Sequence, residues 1–113
     1  MDLSLVGVTL HVADVDRSVE FYRRLPGAEV LVHIPGRFAL LALGSGRLGL
    51  LADQERPFHV EIEVSDLDAA ATALRESGVE VDGPTRRPWG ERDAQVRDPD
   101  GHLLEFSAAR PPA

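Results

Sequence analysis

Apolar and polar positions alternate at the start of the chain. Val6, Val8, Leu10 and Val12 fall on one side of residues 4–13, and Gly7, Thr9 and His11 on the other. A period of two predicts a strand with one packed face. The period changes at Asp14-Val15-Asp16. Asp14 is an N-cap residue type, and Asp16 suits the positive end of a helix dipole. Val15, Val19 and Tyr22 then recur at helical spacing, with Phe21 beside them; all three aromatic and apolar types are read as core. Arg23 and Arg24 suit a helix C-terminus, and Pro26-Gly27 ends it. Residues 28–34 predict a second strand and Pro35-Gly36 a turn. Residues 37–43 and 47–52 predict a hairpin around Gly44-Ser45-Gly46.

The pattern then repeats. With a shift of 52, Asp14 falls on Asp66, Asp16 on Asp68 and Val8 on Val60. Val60, Ile62 and Val64 form the packed face of the next strand, and His59, Glu61 and Glu63 the other. Asp66 caps a helix with Leu67, Ala70, Ala71 and Leu74 inward, and Gly78 sits where a C′ glycine belongs. Residues 79–82 predict a short strand and residues 83–91 a loop. Residues 92–97 and 102–108 predict a hairpin around Asp98-Pro99-Asp100-Gly101, with Phe106 in the core. The tail Arg110-Pro111-Pro112-Ala113 is expected to fray.

An internal period dictates architecture. The expectation is an α+β chain of two tandem βαβββ modules, residues 4–53 and 57–109, within one domain spanning 1–113. Each helix covers the packed face of its own sheet, and the strands form a curved, mostly antiparallel sheet with the helices outside. The polar faces are left to line a shared cavity, where they argue for a site rather than a dry core.

Composition narrows the function. At 113 residues the chain can bury a sizeable core, whereas each half alone would be marginal. The formal net charge is -7, and no lysine is present. An acidic surface argues against nucleic acid as partner, and the missing lysine excludes Schiff-base chemistry. There is no cysteine, so neither disulfide nor thiolate chemistry is available. No apolar run reaches the length of a membrane span, and the acidic N-terminus leads directly into a strand pattern rather than a signal peptide. These features predict a cytoplasmic protein with no membrane partner. The serines lack a nucleophile-elbow context, and Gly44-Ser45-Gly46 is a turn rather than a phosphate loop.

The stretches VTLHVADVDRSVEFYRRLPGAEV, HVEIEVSDLDAAATALRESGVEV and PWGERDAQVRDPDGHLLEF resemble the vicinal oxygen chelate superfamily. That group includes glyoxalase I, extradiol dioxygenases, fosfomycin-resistance transferases, methylmalonyl-CoA epimerase and the bleomycin-resistance proteins, and the small bleomycin-resistance type is the most similar. The resemblance implies a homodimer. It also implies a metal site taking one ligand from the first strand and one from the last strand of each half. Carried over, His59 and Glu105 occupy the second-half positions, while Gly7 stands at the first-half histidine position. The first-half carboxylate position falls on Gly49 or on Leu50. Neither can bind a metal, so the set is incomplete. Glu61, about 6.6 Å from His59 along the strand, is a further ligand candidate. His11 lies about 13 Å from Gly7 and cannot serve the same ion.

Two readings of the function follow. In the first, the protein binds a small molecule in its cavity without a complete metal site and sequesters it, as a drug-resistance protein would. Glu61, Glu63 and Glu105 would favour a cationic ligand, and Trp89 or Phe38 would stack on an aromatic one. No cofactor is expected in that case. In the second, it is an enzyme, an isomerase, lyase or dioxygenase, with His59 and Glu105 as its catalytic residues and with or without a divalent metal. Each residue also has a plainer reading. His59 and Glu105 would form a structural hydrogen bond, and His11 and Glu63 would pair at the rim or be solvated. Trp89 would cover the core edge, Phe38 would pack, and Arg86, Arg87 and Arg92 would be solvated or salt-bridged.

Overall fold

The structure of the chain is a computed structural model that describes residues 2–53 and 57–108. The predicted frayed tail lies outside the described residues. The described residues form two compact units, one within 6–59 and one of 60–108 together with 2–5. The elements run β1 (Leu3–Val12), α1 (Val15–Tyr22), β2 (Glu29–Ile34), β3 (Phe38–Leu43), β4 (Gly46–Ala52), then β5 (Phe58–Val64), α2 (Leu67–Glu76), β6 (Asp82–Arg86), β7 (Arg92–Arg97) and β8 (Leu103–Ala108). The class is α+β and the βαβββ order occurs twice.

Strand order is β2-β3-β4-β1 in the first copy of the repeat and β5-β8-β7-β6 in the second. Within each, the last three strands pair antiparallel in succession, and the last of them runs parallel to the first. The helix between the first two strands makes that parallel return possible, because a tight hairpin can join only antiparallel neighbours.

Both helices begin as the sequence predicts. The Asp14 carboxylate accepts the Arg17 N–H at 3.0 Å, and that of Asp66 accepts the Ala69 N–H at 3.0 Å. Val15 and Val19, one turn apart, pack on Ala39, Leu41, Leu48 and Leu50, with Val8, Leu10, Val12 and Tyr22 around them. Leu67 and Ala70 pack on Ile62, Val64, Ala94, Val96 and Phe106. Leu41 and Leu50 are fully buried, each contributing about 1.5–3 kcal/mol by leaving water. At the end of α2, Gly78 adopts φ +87°, and the Val79 N–H reaches back to the Leu74 carbonyl. This is the left-handed helix stop that glycine permits.

Two expectations fail. Phe21 is 59% exposed rather than core, because residues 15, 19 and 22 take the sheet-facing side of a two-turn helix. Its ring and that of Tyr22 meet edge-to-face, 5.0 Å between centroids. The strand expected at residues 79–82 forms instead at Asp82–Arg86, inside the expected loop. Pro84 argues against a strand in sequence, but β6 is the edge strand of its unit, where a residue without an N–H is tolerated. The register shift between Asp82 and Thr85 absorbs it. At the other edge, β2 exposes Val30, Leu31, Val32 and Ile34. Among the described residues, no helix is long and apolar enough to cross a membrane.

Candidate acid–base and metal site

The ladders decide which residues share a face. In the first unit Thr9 lies opposite Gly49, which faces Leu40, while His11 lies opposite Leu51, which faces Phe38. In the second, Glu61 lies opposite Glu105, which faces Gln95, and Glu63 lies opposite Ser107, which faces Asp93. These are the faces turned away from the helix-covered clusters.

The register also settles the alignment of the repeat. Thr9 is the counterpart of Glu61, so Gly49, the partner of Thr9, is the counterpart of Glu105. Leu50 is the counterpart of Phe106 and belongs to the core. Gly7 and Gly49 do more than lack ligand atoms. A Cβ at Gly7 would stand 1.9 Å from the Arg47 carbonyl oxygen, and one at Gly49 would stand 2.4 Å from Thr9 Oγ1. The space for a side chain at the first-unit ligand positions is taken by backbone at Gly7 and by Thr9 at Gly49. The four-ligand site implied by resemblance therefore does not fit this chain.

His59 is buried, at 6% exposure. Its Nδ1 lies 2.7 Å from Nε2 of His11, the two rings meeting edge-on at 77°. His11 Nδ1 in turn lies 3.4 Å from an Asp53 carboxylate oxygen. That is longer than a normal N–H···O bond and within ion-pair reach. The His11 side chain is 2% exposed and that of Asp53 28%. The Pro57 carbonyl accepts the His11 N–H at 3.0 Å, which holds the end of β1 beside the approach to β5. His11 is thus a buried partner of His59, not the solvated edge residue that alternation suggested.

Ligand-capable atoms of His59, Glu61 and Glu105 lie within 4.8 Å of one another. Glu61 and Glu105 are half-buried and directly opposed. Like charges opposed across a ladder disfavour one another and favour a cation between them. Metal–ligand bonds of roughly 2.0–2.2 Å place ligand atoms at most about 4.4 Å apart, so small side-chain shifts would close the set on an ion. One nitrogen and two carboxylates suit zinc, manganese or iron. A three-ligand set confined to β5 and β8 therefore fits a divalent metal.

The remaining candidates are placed as follows. Phe38 is half-buried on the His11 face and outside the first core cluster. Glu63 is half-buried two residues beyond Glu61. Trp89 is 71% exposed, so it does not cover the core edge; its indole N–H reaches Glu91 at 3.3 Å. Arg87 grips the buried Asp93 through two hydrogen bonds of 2.7 and 2.6 Å. That bond raises the arginine's pKa, helped by the charges of Glu105 and Asp82. Arg92 is engaged by Asp68 on α2. A second ligand-type group, Asp98, Asp100 and His102, is the β7–β8 turn itself, with Asp98 accepting the Asp100 and His102 N–H groups and bonding the imidazole. A hollow against α1 and β2, lined by Val19, Glu20, Arg23 and His33, holds none of the site residues.

The sequence left two participants unassigned. Asp53 reads only as the residue after a strand, and no motif marks it. Thr9 reads as an ordinary inward threonine, yet its 4% exposure and its seat over Gly49 make it the plug of that position.

The family model described as Glyoxalase/Bleomycin resistance protein/Dioxygenase superfamily matches residues 4–106. The chain is 27% identical to YraH of Bacillus subtilis (strain 168), over 92% of this chain and 97% of that protein. It is similar to methylmalonyl-CoA epimerase from Mycobacterium tuberculosis, with 27% identity, 95% and 88% coverage and a TM-score of 0.77. The epimerase of Streptomyces coelicolor, solved with 2-nitronate-propionyl-CoA, gives 26% identity, 95% and 97% coverage and a TM-score of 0.75.

Proposed function

The chain belongs to the Glyoxalase/Bleomycin resistance protein/Dioxygenase superfamily, and from that premise we propose that it catalyses proton transfer at carbon in a small carbonyl compound. The observation that carries this is the direct opposition of Glu61 and Glu105 beside the buried His59. Glu105 takes the proton from the carbon next to the carbonyl. The electron pair passes into the C=O bond to give an enolate, and return of a proton to carbon completes an isomerisation or epimerisation. Without a metal, His59 is the second proton-carrying group of the pair. His59, Glu61 and Glu105 would hold a divalent cation, which supplies positive charge for a developing oxyanion. The likeness to epimerases, whose chemistry inverts a carbon centre, supports this class of reaction.

The test is solvent exchange. Small carbonyl acids and thioesters are incubated with the protein in deuterium oxide, with and without zinc or manganese, and followed by NMR. Deuterium should enter one class of compound, and Glu105→Gln should slow its entry by roughly 10²–10⁴-fold, the usual worth of a general base, with circular dichroism unchanged. No exchange in any class by the folded protein would overturn the proposal.

The 71% exposure of Trp89 favours a second reading, a stoichiometric binder that sequesters a cationic aromatic molecule. Saturable binding of such a compound without exchange would select it.

A further inference from the structure

The two copies of the repeat finish their outer strands differently. After the helix the second copy is one residue shorter, so Gly78-Val79-Glu80-Val81 matches Gly27-Ala28-Glu29-Val30. The next four residues are Asp82-Gly83-Pro84-Thr85 in the second copy and Leu31-Val32-His33-Ile34 in the first. Both stretches lie in edge strands, β6 and β2. An edge strand offers unpaired backbone groups to any further strand, and charges, proline or a covering group are the usual means of refusing one. β6 has all three. Pro84 has no N–H to give, and Asp82 places a charge on the edge. Arg75 of α2 donates to the Val81 carbonyl at 3.1 Å and also to that of Gly83, which occupies two acceptors of the same segment. β2 is built otherwise. Arg23, the counterpart of Arg75 at the shift of 52, bonds Glu20 of α1 at 3.1 Å instead. All six residues of β2 are exposed, and Val30, Leu31, Val32 and Ile34 leave 38–49% of their surface in water.

We propose that the β2 edge is an interaction surface and that its occupant is β2 of a second copy of this chain, the two strands pairing antiparallel about a two-fold axis. Charge selects the copy over another partner. The chain carries a net -7, yet residues 16–37, which hold α1, β2 and the turn after it, carry four arginines against three carboxylates. Two copies therefore meet here without net like-charge repulsion, and the edge has no field with which to attract a strongly basic or acidic protein. What it offers is a row of apolar side chains beside unpaired backbone, and a second copy brings the same row, as a two-fold interface requires. Size sets the strength. Six residues span about 20 Å, which places the contact at the small end of interfaces, under about 1,200 Å² in total. The pairing is accordingly weak and reversible, with a dissociation constant of roughly 10–100 µM. The blunted edge at β6 stops growth at the dimer, because no second edge accepts a strand.

The test is sedimentation equilibrium of the full chain from about 5 µM to about 500 µM, a range that brackets the expected constant. The mass should rise from 12.3 kDa toward twice that value. Amide hydrogen exchange of the same samples locates the contact: β2 amides should exchange more slowly as concentration rises, while those of β6 should not change. Leu31→Asp/Ile34→Thr gives the first edge the side chains of the second at two exposed positions, and leaves Val30 and the His33–Asp16 bond alone. It should weaken association roughly 10–100-fold with circular dichroism unchanged. Should that variant fail to fold, the wild-type exchange data decide alone. A mass of 12.3 kDa throughout the range would overturn the proposal. So would a dimer that leaves β2 exchange unchanged, association that the folded double variant does not weaken, or growth beyond the dimer.

Discussion

Gly7→Ala adds one methyl group, and the structure makes it expensive. The new Cβ would lie 1.9 Å from the Arg47 carbonyl oxygen, 2.8 Å from its carbon and 3.2 Å from its Cα. Ordinary contact begins at 3.4 Å, so β1 and β4 must part locally by 1.5 Å, the difference between those two distances. No rotamer change relieves this, because every obstructing atom is backbone. Overpacking of this kind costs about 1–3 kcal/mol. Opening the ladder at Gly7 and Arg47 forfeits hydrogen bonds worth about 1 kcal/mol each. The expected loss is about 3–5 kcal/mol, read by urea unfolding followed by circular dichroism and, at about 4 °C per kcal/mol for a chain of this size, as a fall in Tm of roughly 12–20 °C. Gly49→Ala is the internal control. There the obstructing atoms are Oγ1, Cβ and Cγ2 of the Thr9 side chain. Thr9→Ala removes two of the three, so Thr9→Ala/Gly49→Ala should be more stable than the sum of its single changes by about 0.5–3 kcal/mol. A glycine-to-alanine change in a strand ordinarily stabilises, because alanine has less chain entropy to lose. A neutral or stabilised Gly7→Ala would therefore refute the close approach of β1 and β4, and with it the claim that the first-unit ligand position is closed by backbone.

Two further outcomes are expected. Arg87→Ala strips the buried Asp93 of two charge-assisted hydrogen bonds; chemical unfolding should show a loss of about 1–3 kcal/mol, and Asp93→Asn/Arg87→Ala should recover part of it. At the β7–β8 turn, the hydrogen bond to His102 holds Asp98 below its ordinary 3.8, and the same bond raises His102 above its ordinary 6.5. Asp98's share of stability is present above 3.8 and is lost as pH falls through its depressed value; that of His102 is present below 6.5 and is lost as pH rises through its raised value. The turn is tightest between those limits, and an NMR titration should find the His102 pKa falling toward 6.5 in Asp98→Asn.

Much of the fold is legible because its periods are clean. Val8, Leu10 and Val12 alternate, Val15 and Val19 recur at one turn, and Asp14 and Asp66 sit where an N-cap must. Strand β6 is illegible for a physical reason: Gly83 and Pro84 carry loop propensities, and only a place at the sheet edge lets them join a ladder. For the site, alternation alone puts His59, Glu61 and Glu63 on one face, and the repeat pairs Glu105 with them. The bond between His11 and His59 is not legible. The repeat makes His11 the counterpart of Glu63 and His59 the counterpart of Gly7, so the contact joins positions that internal symmetry does not relate. Gly7 and Gly49 read in sequence as missing ligands, and only a distance reveals that their space has been taken.

The opposed carboxylates follow from the core rather than standing apart from it. Val60, Ile62 and Val64 face α2, and Leu104 and Phe106 join them across the β5–β8 ladder. A slip of one residue in either strand would turn Glu61, Glu63 or Glu105 under the helix and bring buried apolar side chains out, so the hydrophobic pattern fixes the register strongly. Once it is fixed, Glu61 and Glu105 have no choice but to face one another, two residues from His59. Opposed like charges of this kind favour a cation beside them. In the first unit the same register puts Thr9 against Gly49, where no charge arises. The same ladder geometry, filled with different residues, yields a sealed strand pair in one copy of the repeat and an opposed pair of carboxylates in the other.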